Sequence, residues 1–228
     1  KRIFKQENIP SFIDYKKEIL NNPFAELIRS AITIVNEDYS YESVFRYLRT
    51  GLTGIVTEAI DLMENYVLAL GIRGSKRYSE PFTRKYKSKE EIDLDLINWV
   101  REQLVEQINP LYEILRDKSK TIKDYTTALY NLGVRLSIEE KLEAESNRFT
   151  ENNMPTLAKE YSQIYRIVME LYDQMVLLLG GEQCSLKEFG EIIDAGLMEA
   201  KVGLIPPGVD EVVVGDTERT RLKDIKAL

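Results

Sequence analysis

VVVGDTERTRLKDIKAL, Val212 to Leu228, is the stretch on which the reading of the fold turns. Val212 to Val214 form a β-branched run closed by Gly215, and Asp224 to Leu228 opens a further apolar strand with no room to finish. At the other end, Arg2 to Phe4 has the pattern of an interrupted strand, and Lys1 is not an initiator methionine. Between them lies almost pure helical periodicity. Strand fragments enclosing a helical body are the pattern of a helical insertion cut out with stubs of its host sheet. The expectation is a mainly α chain with short β-strand stubs at both termini, lying side by side in one small β layer.

The helical body resolves into separate stripes. Phe24, Leu27, Ile28, Ala31 and Val35 share a face after Pro23, which suits a first helical turn, and Tyr41, Val44, Phe45 and Leu48 follow the N-cap Ser40. Val56, Ile60, Met63, Val67 and Leu70 repeat at four and three and stop at Gly71, a natural C-cap. Ser88 is the expected cap of a long segment carrying Leu104, Ile108, Leu111 and Leu115, with a kink at Pro110. Ile122, Tyr125, Leu129, Leu132 and Leu136 continue the pattern. Ser137-Ile-Glu-Glu140 reads as a capping box opening a helix toward Thr150, before Asn152, Asn153 and Pro155 break the chain. The longest stripe is Leu157, Tyr161, Ile164, Val168, Leu171, Met175 and Leu178, ending at Gly180-Gly181; its helix should exceed 30 Å at about 1.5 Å per residue. A second capping box, Ser185-Leu-Lys-Glu188, opens a last helix that stops before Gly203 and the Pro206-Pro207-Gly208 turn. The methionines and aromatics in these stripes read as core.

Composition excludes several function classes. The 228 residues, 43% of them hydrophobic, suffice for one large or two small globular domains. The single cysteine, Cys184, cannot close an internal disulfide, and without histidine there is no cluster for zinc or an iron-sulfur centre; a reducing cytoplasm is the expected location. Lack of histidine also removes the usual general base and the Ser-His and Cys-His pairs. Glu139, Glu140, Glu143 and Glu145 alternate with Lys141 and Arg148 as a solvated helix face does. No GxxxxGK[ST] occurs, and Gly71-Ile-Arg-Gly74 is too short and too basic for a phosphate-binding glycine loop. Apolar runs such as Met175 to Leu179 fall far short of the roughly 20 residues that a membrane-spanning helix needs.

Charge is uneven. The net value is -7, yet from Arg73 to Lys89 seven cations (Arg73, Lys76, Arg77, Arg84, Lys85, Lys87 and Lys89) face only Glu80, leaving about +6. With Tyr78, Phe82, Tyr86, Pro81 and two glycines, the segment should be an extended connector and not another helix. Cations neutralise phosphates, and interleaved aromatics stack on exposed bases for roughly 1 to 3 kcal/mol each. The plainer alternative has equal weight on residue types alone: the aromatics pack on the helices and the charges stay in water or pair with acidic neighbours. The acidic remainder argues against general coating of DNA, so any grip is local.

Five blocks occur in order: Asn8-Ile-Pro-Ser-Phe-Ile-Asp14, Asn22-Pro-Phe-Ala-Glu-Leu-Ile-Arg29, Tyr41-Glu-Ser-Val-Phe-Arg-Tyr-Leu-Arg49, Glu64-Asn-Tyr-Val-Leu-Ala-Leu-Gly-Ile-Arg-Gly74 and Gly215-Asp-Thr-Glu-Arg-Thr-Arg-Leu-Lys-Asp-Ile-Lys-Ala-Leu228. Together they resemble the B subunits (AddB, RexB-type) of bacterial ATP-dependent helicase/deoxyribonucleases, and the resemblance spans the whole chain as an internal fragment. It implies a helical accessory insertion of a UvrD-like helicase lobe: residues 1-15 as a strand stub of the second RecA-like lobe, 16-208 as the inserted domain, and 209-228 as the resumption of that lobe. Active helicases of this kind carry a histidine-containing motif near the resumption; Asp216-Thr-Glu-Arg-Thr-Arg221 has none, which speaks against motor activity in this lobe.

The resemblance further implies a segment without catalysis of its own, in a protein that processes double-strand DNA breaks for recombination. DNA and an AddA-type motor subunit in a heterodimer are the implied partners, with no membrane. ATP, magnesium and an iron-sulfur cluster would act elsewhere in such a complex, leaving no cofactor here. Arg219, Arg221 and Lys223 join the connector residues as candidate DNA contacts, against the alternative of a structural, salt-bridged loop. A helical protein-interaction scaffold with no direct nucleic-acid role is the competing reading of the whole. A self-contained enzyme using acidic pairs is a third.

Overall fold

A computed structural model describes residues 11–13, 17–86, 91–202 and 212–214. Its body is helical, as the periodicity requires. The first two strands are β1 (Ser11–Ile13) and β2 (Lys17–Glu18). Nine helices then follow among the described residues: α1 (Pro23–Asn36), α2 (Tyr41–Leu48), α3 (Thr57–Leu70), α4 (Ser75–Tyr78), α5 (Leu94–Arg116), α6 (Ile122–Arg135), α7 (Ile138–Glu151), α8 (Pro155–Leu179) and α9 (Leu186–Glu199). The strands β3 (Lys201–Val202) and β4 (Val212–Val214) come last.

Strand pairing brings the two ends of the helical body together. Ser11, Phe12 and Ile13 run parallel to Val212, Val213 and Val214, while Lys17 and Glu18 pair antiparallel with Val202 and Lys201. A parallel pair needs a crossover, and here the whole helical body supplies it. Arg2 to Phe4 and Asp224 to Leu228 lie outside the described residues.

Helix ends follow local chemistry. Asn22 accepts the Phe24 N–H at 2.9 Å just before Pro23, and Ser40 accepts from Ser43 at 3.2 Å. Gly71 ends α3 in the left-handed region (φ 60, ψ 40), and the next N–H, of Ile72, returns to the Val67 carbonyl at 3.0 Å. At α9 the Ser185–Glu188 capping box forms in both directions, at 2.8 and 3.2 Å.

Four local expectations need correction. The long helix α5 starts at Leu94, capped by Asp93 through the Leu96 N–H at 2.9 Å, and Ser88 lies outside the described residues. It continues through Pro110 to Arg116. Ser137 makes no capping box: it is the single residue left between Leu136 and α7, and at φ 50 it bends the chain in the left-handed region with no side-chain cap bond. The box at this end of the molecule belongs instead to Thr121 and Asp124, at the start of α6. Within the stripes, Val56 serves as the N-cap of α3 and is exposed, and Leu178 is 76% exposed instead of packed in the core.

The core is one continuous cluster. Phe24, Leu27, Ile28, Ala31 and Val35 of α1 meet Val44, Phe45 and Leu48 of α2, and Leu104, Ile108, Leu111 and Leu115 of α5 lie in the same cluster. The hairpin of α7 and α8 closes the far side, with the Ser146 hydroxyl donating to the Ala158 carbonyl at 2.8 Å. The start of α8 reaches α1 through Asn22, whose amide donates to Glu160 at 3.2 Å. Its end meets the start of α6, where the Ile122 and Lys123 N–H groups donate to the Glu182 and Gly180 carbonyls at 2.9 and 3.2 Å. Arg29 on α1 pairs with Asp194 on α9 at 2.7 Å.

Candidate nucleic-acid interface

The basic connector is not a slack loop. It begins at the left-handed Gly71 and again at Gly74 (φ 89), whose N–H donates to the Tyr39 carbonyl at 3.4 Å. Glycine suits both positions because a Cβ would be strained at positive φ. One helical turn, α4, then intervenes where the composition suggests a fully extended path. The turn is short because Pro81 follows, and it forms because Asp38 holds its first residue. The Asp38 carboxylate accepts the Ser75 N–H at 3.3 Å and the Tyr112 hydroxyl at 3.1 Å, with Arg116 at 3.8 Å. Hydrogen bonding from Ser75, helped by Tyr112 and Arg116, holds the Asp38 carboxyl below its ordinary range despite partial desolvation.

Aromatic side chains fasten the connector from inside. Tyr78 is fully buried, 5.2 Å from the Tyr39 ring and 5.8 Å edge-on to Phe82. Phe82 stacks on Tyr66 at 5.3 Å, and half-buried Tyr86 lies 6.1 Å from the same ring. Stacking on bases is therefore not open to Tyr78 or Phe82, and that part of the expectation is corrected: apolar area of this size is worth more in the core than in water. Burial pushes the Tyr78 phenol far above its ordinary pKa, and its hydroxyl finds no hydrogen-bond partner among the described residues.

Two side chains of α5 complete the clamp. The Asn98 amide mimics a backbone strand, accepting the Phe82 N–H at 2.7 Å and donating to the Phe82 carbonyl at 2.9 Å. Arg101, only 4% exposed, donates to the Tyr78 carbonyl at 2.9 Å and to Asn98 at 3.1 Å, and its guanidinium lies 5.9 Å from the Phe82 ring centre. Its carboxylate partner among the described residues is Glu102 at 2.8 Å. The Tyr66 hydroxyl donates to the Arg84 carbonyl at 2.7 Å. The sequence reading missed this clamp, although Arg101 sits among Ile97, Val100 and Leu104, and a cation in an apolar stripe is a visible signal.

The cations face the other way. Arg73, Lys76, Arg77, Arg84 and Lys85 are all exposed, and among the described residues none forms an ion pair. Arg77 and Arg84 line one cleft of about 200 Å³, together with Glu80, Thr83 and Ile72. Lys87, Lys89, Arg219, Arg221 and Lys223 lie outside the described residues. Several arginines elsewhere are paired: Arg49 bridges Asp61 at 2.6 Å and also Glu64, Arg46 holds Glu26 at 2.7 Å, and Arg166 holds Glu170 at 2.6 Å. No cluster of three or more Cys, Asp or Glu among the described residues could hold a metal ion, and no helix among them is long and apolar enough to cross a membrane.

Over its whole length the chain is 50% identical to the B subunit of an ATP-dependent helicase/deoxyribonuclease of Lachnoclostridium phytofermentans, covering 20% of that protein. The chain resembles this B subunit throughout. The corresponding B subunit of Clostridium novyi is 42% identical over 100% of the chain, and that of Acetivibrio thermocellus 43% identical over 99%, each again covered to 20%. The chain thus spans about a fifth of the length of the curated relatives it matches. No protein-family model matches it. As B subunits, these relatives belong to assemblies with at least one further subunit.

Proposed function

We propose that this chain is a helical accessory domain of the B subunit of a helicase/deoxyribonuclease and that its basic connector contacts DNA without catalysis of its own. In this reading, residues 16-208 form an insertion and the paired ends, 1-15 and 209-228, are stubs of a UvrD-like lobe. The parallel pairing of Ser11–Ile13 with Val212–Val214 supports that arrangement, because it returns the chain to the strand it left. The whole B subunit would process DNA ends together with a motor subunit, which would supply the ATP-driven movement.

The observation that carries the DNA role is the connector itself. Five exposed cations without an ion pair among the described residues are held on a clamped segment of an acidic chain. Like charges kept unpaired raise the local potential and invite a polyanion. The test is a DNA titration at several salt concentrations. Binding should weaken steeply with salt and fall when Lys76, Arg77, Arg84 and Lys85 become Ala. A titration insensitive to both would remove the role.

One further observation favours a second contact. Leu177 and Leu178, at the end of α8, are 83% and 76% exposed, a leucine pair that a partner surface would cover. We assign it to docking of the motor subunit. Co-purification with that subunit should survive removal of DNA and be lost in a Leu177→Asp, Leu178→Asp chain. Retention in that chain would dismiss the assignment.

A further inference from the structure

We infer that the connector grips the phosphodiester backbone and does not stack Tyr78 or Phe82 on bases, with the Arg77–Arg84 cleft as its phosphate seat. This rests on the DNA-contact reading given above and specifies the ligand group for the same site. The argument concerns which atoms face outward. Stacking on bases needs an exposed aromatic face. The two aromatics at the centre of the connector, Tyr78 and Phe82, are 0% and 6% exposed and engaged with Tyr39 and Tyr66. The nearby backbone groups are also spoken for: Asn98 takes both the N–H and the carbonyl of Phe82, Arg101 takes the Tyr78 carbonyl, and Tyr66 takes the Arg84 carbonyl.

What remains outward is mainly charge, with Tyr86 half-buried against Tyr66. Arg77 and Arg84 lie on opposite sides of Pro81 in sequence, and the fold brings both to one cleft of about 200 Å³ without either pairing to the Glu80 carboxylate that shares it. Two arginines lining one cleft suit a phosphate, since a guanidinium presents a planar fork of donors to anionic oxygens. Arg73, Lys76 and Lys85 add exposed charge along the same short segment. Such a surface takes duplex and single-stranded DNA through their phosphates.

The experiment compares three probes with the 228-residue chain: a duplex oligonucleotide, a single strand of mixed sequence, and the same strand made of abasic sites. Affinity is measured across a salt series for the chain and for Arg77→Ala, Arg84→Ala. The abasic strand should bind within about twofold of the base-bearing strand. Against duplex, the double variant should lower the slope of log affinity on log salt by about 1.8, near 0.9 per lost phosphate contact. Both arginines are exposed, so the variant's far-UV circular dichroism and melting temperature should match the parent chain. Loss of tenfold or more on removing the bases overturns the inference and leaves DNA contact standing. An unchanged slope in the double variant overturns the phosphate seat. No binding to any probe at low salt overturns both this inference and the DNA-contact reading beneath it.

Discussion

The basic connector and the α7–α9 region handle charge in opposite ways. Residues 73–89 carry seven cations against one carboxylate, and the five described cations that face solvent leave their charges unpaired. Residues 138–199 carry five cations against thirteen carboxylates and pair three of those cations within their own helices, Arg148 with Glu145, Arg166 with Glu170 and Lys187 with Glu191. Pairs of this helical spacing contribute only a few tenths of a kcal/mol each, so they serve solubility more than stability. The connector instead draws its order from beneath, through buried rings and the Asn98 and Arg101 clamp. Separating what holds a segment from what it displays is how a cationic surface can be kept rigid without neutralising it.

The strongest perturbation of this contrast belongs to the acidic region. Phe189 is fully buried and packs edge-on against Tyr125 at 5.2 Å, tying α9 to α6. Phe189→Ala should cost about 3 to 5 kcal/mol in urea unfolding. At low temperature, where the variant is still folded, its salt-dependent DNA affinity should match the parent, because no connector residue touches this site.

Asn98→Ala should act the other way around. It removes no charge, yet it strips the Phe82 N–H and carbonyl of their partners, for about 1 to 3 kcal/mol of stability. DNA affinity should drop several-fold in the same variant, since loosened cations pay an ordering cost on binding. An affinity equal to that of the parent would show that the clamp is irrelevant to the display.

These clamp residues mark where the sequence stops being legible. The helices were readable because apolar spacing at three and four is a local signal, and Ser40, Gly71 and the Ser185–Glu188 box act within a few residues. Thr121 and Asp124 carry the same local box signal, which went unread. Ser137 misled for a geometric reason: a capping box needs an extended N-cap, and with only Leu136 and Ser137 between two helices the chain turns in the left-handed region at Ser137 instead. The direction in which Tyr78 and Phe82 point depends on Asn98 and Arg101, about twenty residues away, and no pattern within the connector encodes it. The exposed Leu178 reflects the same limit: the end of α8 meets the start of α6, yet Leu177 and Leu178 stay exposed there.

Smaller effects sharpen the comparison. Tyr78 in the connector and Tyr172 in α8 each bury a hydroxyl without a hydrogen-bond partner among the described residues. Tyr78→Phe and Tyr172→Phe should each gain about 1 kcal/mol in thermal or urea unfolding, since an unsatisfied buried hydroxyl costs more than a ring edge. A loss in either would mean that the hydroxyl is satisfied in solution. The smallest effect is one of pH. Asp38 has its folded pKa held below the ordinary 3.8, so its contribution is present above that value and fades as pH falls through the folded one. Asp38→Asn should flatten the acid limb of the stability profile below about pH 4 and leave the profile near neutrality parallel to that of the parent.

The contrast can be tested most directly by lysine acetylation of the 228-residue chain with and without duplex DNA at low salt, read peptide by peptide. Lys76 and Lys85 are exposed in the connector, and Lys187 is exposed on α9. Bound DNA should protect Lys76 and Lys85 several-fold, lose that protection at high salt, and leave Lys187 unchanged. Equal protection of all three, or protection of Lys187 alone, would contradict the account.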